Sequence, residues 1–152
     1  MNILDAFNDI EKLEVKLCAL YSYFHKVFSD DSAAAALFEK LSNEEKSHGN
    51  LVQYQRKIVR QNQKLFREVE VDIKEMREIT SRAENILQRV PPPLLKEAIQ
   101  IAIDLESSSS EAHYRTAMEQ ANHEVSDFLK HLGMSDKEHF DTLKKFAEQR
   151  DL

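Results

Sequence analysis

The sequence predicts an all-α protein built as an antiparallel four-helix bundle. Helix breakers are few, with two glycines and three prolines in 152 residues, and the prolines stand together at 91–93. Residues that favour helix, such as Ala, Leu, Glu, Lys and Gln, are abundant. Apolar residues recur at steps of three and four, the period of a helix with one buried face. A chain of this length is expected to form one domain, residues 1–152.

Composition and charge exclude several classes of protein. The net charge of −6 is spread as interleaved acids and bases, which is typical of solvated helix faces and not of a nucleic-acid-binding patch. No segment approaches the ~18–20 consecutive apolar residues of a membrane span, and the first residues do not resemble a signal peptide. The one cysteine, Cys18, excludes a disulfide within the chain and a Cys-x-x-Cys metal site. We therefore expect a cytoplasmic protein without nucleic-acid or membrane partners.

The first helix is predicted over about residues 3–28. Its buried line contains Ile3, Phe7, Ile10, Glu14, Leu17, Tyr21, Phe24 and Phe28. Glu14 is the exception on this line, because a carboxylate among core positions is costly unless it is paired or binds a metal. Glu11, the competing acid one turn earlier, lies off the line. Residues 29–32 are predicted to form a turn that caps the next helix.

The second helix, over about residues 33–66, carries a carboxylate and an imidazole on its buried line. That line reads Ala34, Phe38, Leu41, Glu45, His48 and Val52. Positions i and i+3 share a helix face, so Glu45 and His48 point in the same direction. Glu14 lies about sixteen residues before the turn and Glu45 about fourteen after it. At ~1.5 Å rise per residue, an antiparallel hairpin brings these acids to nearly the same height.

A crossover helix is predicted over about residues 68–89. This segment is amphipathic and has no ligand-like residue on its apolar line. Some 20 helical residues cover ~30 Å, about the length of a bundle, so the segment is expected to connect two helical hairpins. The three prolines at 91–93 are expected to end it and to begin the next helix.

The third and fourth helices, over about residues 93–120 and 124–149, repeat the pattern of the first two. Their buried lines are Leu95, Ile99, Ala102, Glu106, Ser109, His113 and Ala117, followed by Val125, Leu129, Leu132, Asp136, His139, Leu143 and Phe146. Residues 38–48 resemble residues 129–139, with Glu45 aligned to Asp136 and His48 aligned to His139. The two hairpins therefore read as copies of one unit that face each other.

Six polar residues on these buried lines form a candidate site for two metal ions: Glu14, Glu45, His48, Glu106, Asp136 and His139. Two carboxylate-x-x-His pairs, with one further acid from each of two other helices, are the parts of a two-metal carboxylate site in a helix bundle. Carboxylate and imidazole suit iron, manganese or zinc. Two metals about 3.5–4 Å apart can hold two oxygen atoms at once, which suits O₂ or peroxide.

Each of these residues also has a simpler interpretation. Glu14 or Glu106 alone would be a surface acid on a helix of misjudged phase, and His48 or His139 alone a hydrogen-bonded core histidine. Their coincidence at one height favours the metal site. Because the helix phase selects Glu45, replacement of the neighbouring Glu44 is expected to be nearly silent.

Other residues near the site are assigned less specifically. His113 and His25 lack a carboxylate three residues before them on the buried line, so structural roles are favoured. Tyr21 and Tyr114 are candidates either for hydrogen-bond donors to the ligands or for ordinary core packing. Cys18, one turn after Glu14, is interpreted as a small buried hydrophobe.

The chain resembles the ferritin-like di-iron carboxylate family, and within it the rubrerythrin-like branch more than the cage-forming ferritins. The residues that carry the resemblance are Glu14 with Tyr21-Ser-Tyr23-Phe24, Glu44-Glu45-Lys46-Ser47-His48, Glu106 with Tyr114, and Asp136-x-x-His139. The specificity lies in all four helices matching together, since a single Glu-x-x-His is common by chance.

This resemblance implies a ferritin-like bundle that holds two iron ions. It implies that Glu45 and Asp136 bridge the irons, and that Glu14 with His48 and Glu106 with His139 are terminal ligands. The implied activity is oxidation of Fe(II) by peroxide or O₂, of the rubrerythrin-like peroxidase or ferroxidase type. An external electron-donor protein and a homodimer are implied as well.

Three departures from the family pattern bear on this assignment. Asp136 replaces a Glu and is one methylene shorter, which changes how it can bridge. Ser109 stands where rubrerythrins carry an additional acid, which puts a peroxidase-type metal shift in doubt. The resemblance does not extend to a C-terminal rubredoxin domain, so electrons are expected from a partner or from the substrate. Two alternatives stay open: a metal-binding or storage module without turnover, and a metal-free helical interaction protein with a buried hydrogen-bond network.

Overall fold

The computed structural model describes residues 1–152 and contains five α-helices, one short 3₁₀ helix and no β-strand. The helices are α1 (Ile3–Val27), α2 (Ser32–Gln61), α3 (Lys74–Leu87), α4 (Leu95–Met118) and α5 (His123–Gln149), and the 3₁₀ helix is Gln63–Phe66. Helices α1 and α2 pack as one hairpin, α4 and α5 as a second, and α3 contacts both α1 and α4. The predicted all-α, ferritin-like bundle of two hairpins with a crossover helix is confirmed. None of the helices is long and apolar enough to cross a membrane.

Side-chain caps begin three of the five helices. Asn2, Asp31 and Asn122 each accept a hydrogen bond from a backbone N–H in the first turn of α1, α2 and α5, respectively. Each cap satisfies an amide that has no partner within the helix. Asp31 belongs to the turn expected between the first two helices, so the sequence locates the start of α2 well.

The segment between α2 and α3 differs from the prediction. Helix α2 ends at Gln61 and not near residue 66, and the crossover helix begins at Lys74 and has 14 residues. In the intervening segment the backbone N–H of Val71 donates to the carbonyl of Met1 at 3.1 Å. Val71 and Ile73 are buried. Val71 and Ile73 belong to a non-helical segment that lies beside the N-terminus. Their side chains are buried there although neither α2 nor α3 extends to include them.

The predicted start of α4 is also shifted slightly. Helix α4 begins at Leu95, two residues after the position expected from the prolines, and it has no side-chain cap. A residue before proline is disfavoured in helical conformation, which keeps Pro91 and Pro92 out of the helix.

An aromatic cluster fills the core at the end of the first hairpin. The rings of Phe24 and Phe38 meet edge to face at 5.1 Å between centroids, and Tyr21 stacks on Phe38 at 6.2 Å. All three side chains are fully buried. The cluster holds the Tyr21 ring in place on the face of α1 that carries Glu14.

Corresponding positions in the two hairpins form similar contacts between helices. In the first hairpin the hydroxyl of Ser42 donates to the carbonyl of Cys18 at 3.1 Å. In the second, the hydroxyl of Ser110 donates to the carbonyl of Gly133 at 2.9 Å. Cys18 and Ser110 each lie four residues after the acid of their helix, Glu14 or Glu106. The internal repeat therefore extends from the sequence to the packing of the helices.

Candidate metal centre

The structure brings the six predicted ligand residues together in the middle of the bundle. The four carboxylates are fully buried, and His48 and His139 are 7% and 4% exposed. They form two overlapping groups, one of Glu14, Glu45, His48 and Asp136 and the other of Glu45, Glu106, Asp136 and His139. Within each group the potential ligand atoms all lie within 4.8 Å of one another. Glu45 and Asp136 belong to both groups, so the arrangement offers two adjacent positions with two shared ligands.

Both histidines direct Nδ1 towards the carboxylates. Nδ1 of His48 lies 3.4 Å from Oε2 of Glu45 and 3.6 Å from Oε2 of Glu14. Nδ1 of His139 lies 2.9 Å from Oε1 of Glu45 and 3.4 Å from Oε1 of Glu106. Even the shortest of these approaches lacks the geometry of a hydrogen bond. The two rings stack with centroids 5.4 Å apart.

Most of the inward-facing atoms of the six residues have no hydrogen-bond partner. These atoms are both oxygens of Glu14 and of Glu45, Oε2 of Glu106, Oδ1 of Asp136, and Nδ1 of His48 and of His139. Buried polar atoms in folded proteins are nearly always paired, because leaving one unpaired costs about 1–3 kcal/mol. A concentration of unpaired oxygen and nitrogen atoms around one space is what cations would satisfy.

Burial disfavours the charged form of three of the four carboxylates, and neighbouring carboxylates add to this effect. Burial and the neighbouring charge of Glu45 raise the pKa of Glu14 to about 7. Burial, with the charges of Glu14 and Glu45, raises the pKa of Asp136 well above its usual value. Burial also raises the pKa of Glu106. Two divalent ions carry the charge of four carboxylates, so the residues present fit such a pair.

The two histidines supply part of the missing positive charge in the metal-free protein. Burial alone would lower the pKa of His48, but the carboxylates of Glu14 and Glu45 outweigh it and raise this pKa to about 10. For His139 the lowering by burial is likewise outweighed by Glu106 and Glu45, which raise the pKa to about 12. Metal binding must therefore displace protons from both imidazoles.

Comparison with known families agrees with this geometry. The sequence model of the rubrerythrin family matches residues 11–147, which include all six of these residues. The chain belongs to the rubrerythrin family. No curated protein and no solved structure matches it. For a rubrerythrin-family chain, the buried carboxylate and histidine cluster indicates a site for a pair of metal ions.

Tyr21 holds one of the candidate ligand carboxylates of this rubrerythrin-family chain. Its hydroxyl donates to Oε1 of Glu106 at 2.7 Å, across the bundle from α1 to α4. Burial and the charge of Glu106 raise the pKa of the phenol well above its usual value, so it stays protonated and donates. Of the two roles considered for Tyr21, the hydrogen bond to a candidate ligand is present, together with core packing.

Tyr114 does not take the corresponding role. Its side chain is half-buried and its ring lies against Gly133, so close that a Cβ at this glycine would be 3.0 Å from the ring. No ligand residue is hydrogen-bonded to its hydroxyl. Tyr114 follows Glu106 by eight residues, which turns it about 80° away around the helix, whereas a spacing of seven turns a residue only about 20°. It therefore faces α5 and not the centre of the bundle.

His113 is the residue at that spacing of seven, and sequence reasoning missed its contact. Its Nδ1 lies 2.7 Å from Oδ2 of Asp136, and both side chains are fully buried. The sequence favours a structural role because no carboxylate lies three residues before His113 on the buried line of its helix, but the partner comes from α5. The internal repeat could have indicated that His113 lies near the site, since His113 follows Glu106 by seven residues, as Tyr21 follows Glu14.

Glu44 is the second residue whose contact was missed. Its Oε2 lies 2.7 Å from Nε2 of His139, although the carboxylate side chain is 41% exposed. A histidine that binds a metal through one nitrogen is usually oriented by a partner on the other. The expectation that Glu44 is dispensable is therefore revised. Nothing local in the sequence indicates this contact, because His139 lies 95 residues away.

Proposed function

We propose that this rubrerythrin-family chain is an oxidoreductase with a two-iron centre that oxidises Fe(II) with peroxide or O₂, as a peroxidase or ferroxidase does. The observation that carries the proposal is the pair of overlapping ligand groups that share Glu45 and Asp136. Two metal ions held about 3.5–4 Å apart would be able to act on both atoms of an O–O bond.

The proposed ligands follow from the two groups. Glu45 and Asp136 belong to both groups and would serve both ions, Glu14 and His48 would complete one position, and Glu106 and His139 would complete the other. A bound pair of Fe(II) ions would supply one electron each, which with two protons is enough to reduce one hydrogen peroxide to two waters. Iron is preferred to manganese or zinc because of the family to which the chain belongs, since the nitrogen and oxygen ligands suit all three.

The protein's own contribution is to balance charge and to exclude solvent. Four carboxylates compensate two divalent ions, and the aromatic side chains packed against Tyr21 are fully buried and keep water out of this part of the bundle. Tyr21 keeps Glu106 oriented, and Glu44 does the same for His139. Because these groups are held before any metal arrives, less rearrangement is needed on binding.

The return of Fe(III) to Fe(II) requires an electron donor. We propose an external donor protein for this role, and a homodimer in the cytoplasm as the working state, both by analogy with the family.

A second candidate is a metal-binding or storage module without turnover. Asp136 favours it, because this residue is shorter than its counterpart Glu45 and one of its oxygens is already engaged by His113. Ser109, in place of the additional acid of other rubrerythrins, points the same way.

The first experiment is metal analysis of protein loaded anaerobically with Fe(II). We expect about two irons per chain, and loss of the pair in His48→Ala and in His139→Ala. His131→Ala is the matched control, because His131 is exposed on the same helix as His139. No bound iron, or iron indifferent to both ligand variants, contradicts a metal centre here.

Peroxide consumption then separates the two candidates. The loaded protein is mixed with hydrogen peroxide in a stopped-flow instrument, with a chemical reductant present, and both peroxide and Fe(III) absorbance are followed. Repeated turnover supports the oxidoreductase. A single oxidation without further consumption of peroxide supports the storage module.

A further inference from the structure

We propose that His113 is a positioning residue that holds Oδ2 of Asp136, so that Asp136 presents Oδ1 alone to the metal pair and the two metal positions become unequal. This inference rests on the proposed two-metal centre and assigns a role to a histidine outside the six ligand residues.

The contact between His113 and Asp136 is direct and fully enclosed. Nδ1 of His113 lies 2.7 Å from Oδ2 of Asp136, and neither side chain is exposed. The other oxygen, Oδ1, has no partner within the protein. A carboxylate that binds a metal has lost its proton and can only accept hydrogen bonds, so Nδ1 of His113 must donate. One oxygen of Asp136 is therefore committed to His113 and the other is available to a metal.

Glu45, the counterpart of Asp136 in the first hairpin, is not restrained in this way. Both of its oxygens lack a hydrogen-bond partner, so it can offer one oxygen to each metal position. Asp136 has one methylene fewer, so rotation of its carboxylate about the Cβ–Cγ bond decides which oxygen faces the metal positions. The hydrogen bond from His113 fixes the rotation of the shorter carboxylate.

Comparison of the two hairpins shows that Glu14 lacks a hydrogen bond because His113 contacts Asp136. Tyr21 and His113 occupy corresponding positions, seven residues after Glu14 and Glu106. Tyr21 donates across the bundle to Glu106, so a symmetric arrangement would have residue 113 donate across to Glu14. His113 donates to Asp136 instead, and both oxygens of Glu14 are left without a partner. The position formed by Glu14 and His48 is consequently the less constrained of the two.

Two substitutions with similar side-chain shapes test the hydrogen bond. His113→Asn keeps an N–H donor near the place of Nδ1, whereas His113→Leu has a similar branched shape and no donor. Metal-free proteins are titrated anaerobically with Co(II), and the visible absorbance of Co(II) and the heat of binding are recorded. For His113→Leu we expect a 10–100-fold loss of affinity and an altered Co(II) spectrum. For His113→Asn we expect recovery of most of both.

The control is His25→Leu, which removes a histidine that is hydrogen-bonded to the carbonyl of Ala35. This variant should bind Co(II) as the wild type does. Equal behaviour of His113→Asn and His113→Leu, whether both are normal or both are impaired, overturns the positioning role. If the wild type itself binds no pair of metals, the proposed centre fails; if it binds the pair and His113→Leu binds it equally well, only the role of His113 fails.

A measurement on the unaltered protein does not depend on the folding of any variant. In the Zn(II)-loaded wild type, long-range proton–nitrogen correlation spectra report which ring nitrogen of each histidine carries the proton. We expect His113 to be neutral with its proton on Nδ1. A proton on Nε2 instead would leave Nδ1 without a hydrogen to donate and would rule the proposal out.

Discussion

The two halves of the candidate metal centre have the same ligand types but unequal support. Glu106 accepts a hydrogen bond from Tyr21, and Nε2 of His139 contacts Glu44. Neither oxygen of Glu14 has a partner, and His48 has no contact that corresponds to that of Glu44. The half formed by Glu106 and His139 is therefore held in place before metal binding, and the other half is not.

The inequality arises from positions at which the repeat is imperfect. Glu44 corresponds to Ser135 in the second hairpin, and Tyr21 corresponds to His113. Both supporting residues, Tyr21 and Glu44, belong to the first hairpin and hold ligands of the second. The two hairpins thus share the candidate ligand residues while the residues around them differ, which would be enough to make two similar metal positions differ in affinity.

The largest effect is expected from Glu45→Ala, because Glu45 serves both halves. This variant should lose the metal pair altogether, as measured by elemental analysis after loading with Fe(II). Glu39→Ala is the matched control, since Glu39 is an exposed acid on the same helix. Binding of one metal by Glu45→Ala would show that one half is complete without the shared carboxylate.

The unequal support is tested by Glu44→Ala beside Ser135→Ala. Glu44→Ala should weaken one of the two binding steps by about 10–100-fold, because His139 loses the group that orients it. Ser135→Ala should bind metal as the wild type does. Calorimetric titration with Zn(II) resolves the two steps, and equal effects of the two substitutions would mean that the halves are equally supported.

The pH dependence of the metal-free protein provides a third test. The pKa of His48 is raised to about 10 and that of His139 to about 12 by the carboxylates. Groups whose pKa is raised by folding stabilise the fold below their unfolded pKa, and this stability is lost as the pH rises through the folded pKa. Between pH 7 and 9 the free energy of unfolding should therefore fall, by roughly 2–3 kcal/mol per pH unit for the two histidines together.

Thermal unfolding at several pH values measures this fall, and metal loading should remove it because the ions replace the protons. Nitrogen NMR of the metal-free protein should show His48 losing its proton at lower pH than His139. The reverse order would contradict the conclusion that carboxylates raise the pKa of His139 more than that of His48.

The smallest effects are expected at the two glycines, one in each hairpin. A Cβ at Gly133 would lie 3.0 Å from the ring of Tyr114, whereas at Gly49 the nearest atoms are 4.0 Å away. Gly133→Ala should destabilise the protein by about 1–3 kcal/mol. Gly49→Ala should be neutral or stabilise it by up to about 1 kcal/mol, because alanine favours helix. Urea unfolding distinguishes these outcomes, and a stabilised Gly133→Ala would show that the Tyr114 ring moves freely.

The sequence by itself determined the helical class, the two hairpins and the six residues that meet in the bundle. These features follow from rules that act within one helix or one turn. The step of three places Glu45 and His48 on one face, and the constant rise per residue sets Glu14 opposite Glu45. The caps at Asp31 and Asn122 are equally local, which is why the starts of α2 and α5 were predicted closely.

The tertiary structure decided which residues support the ligands. His113 contacts Asp136 because α4 packs on α5, and Glu44 contacts His139 because α2 faces α5 across the bundle. The spacing of residues within one helix indicates neither contact. The ends of α2 and α3 were misplaced for the same reason. Val71 and Ile73 lie in a segment that packs against the N-terminus, where their side chains are buried. Contacts with distant parts of the chain therefore outweigh the helical preference of this segment.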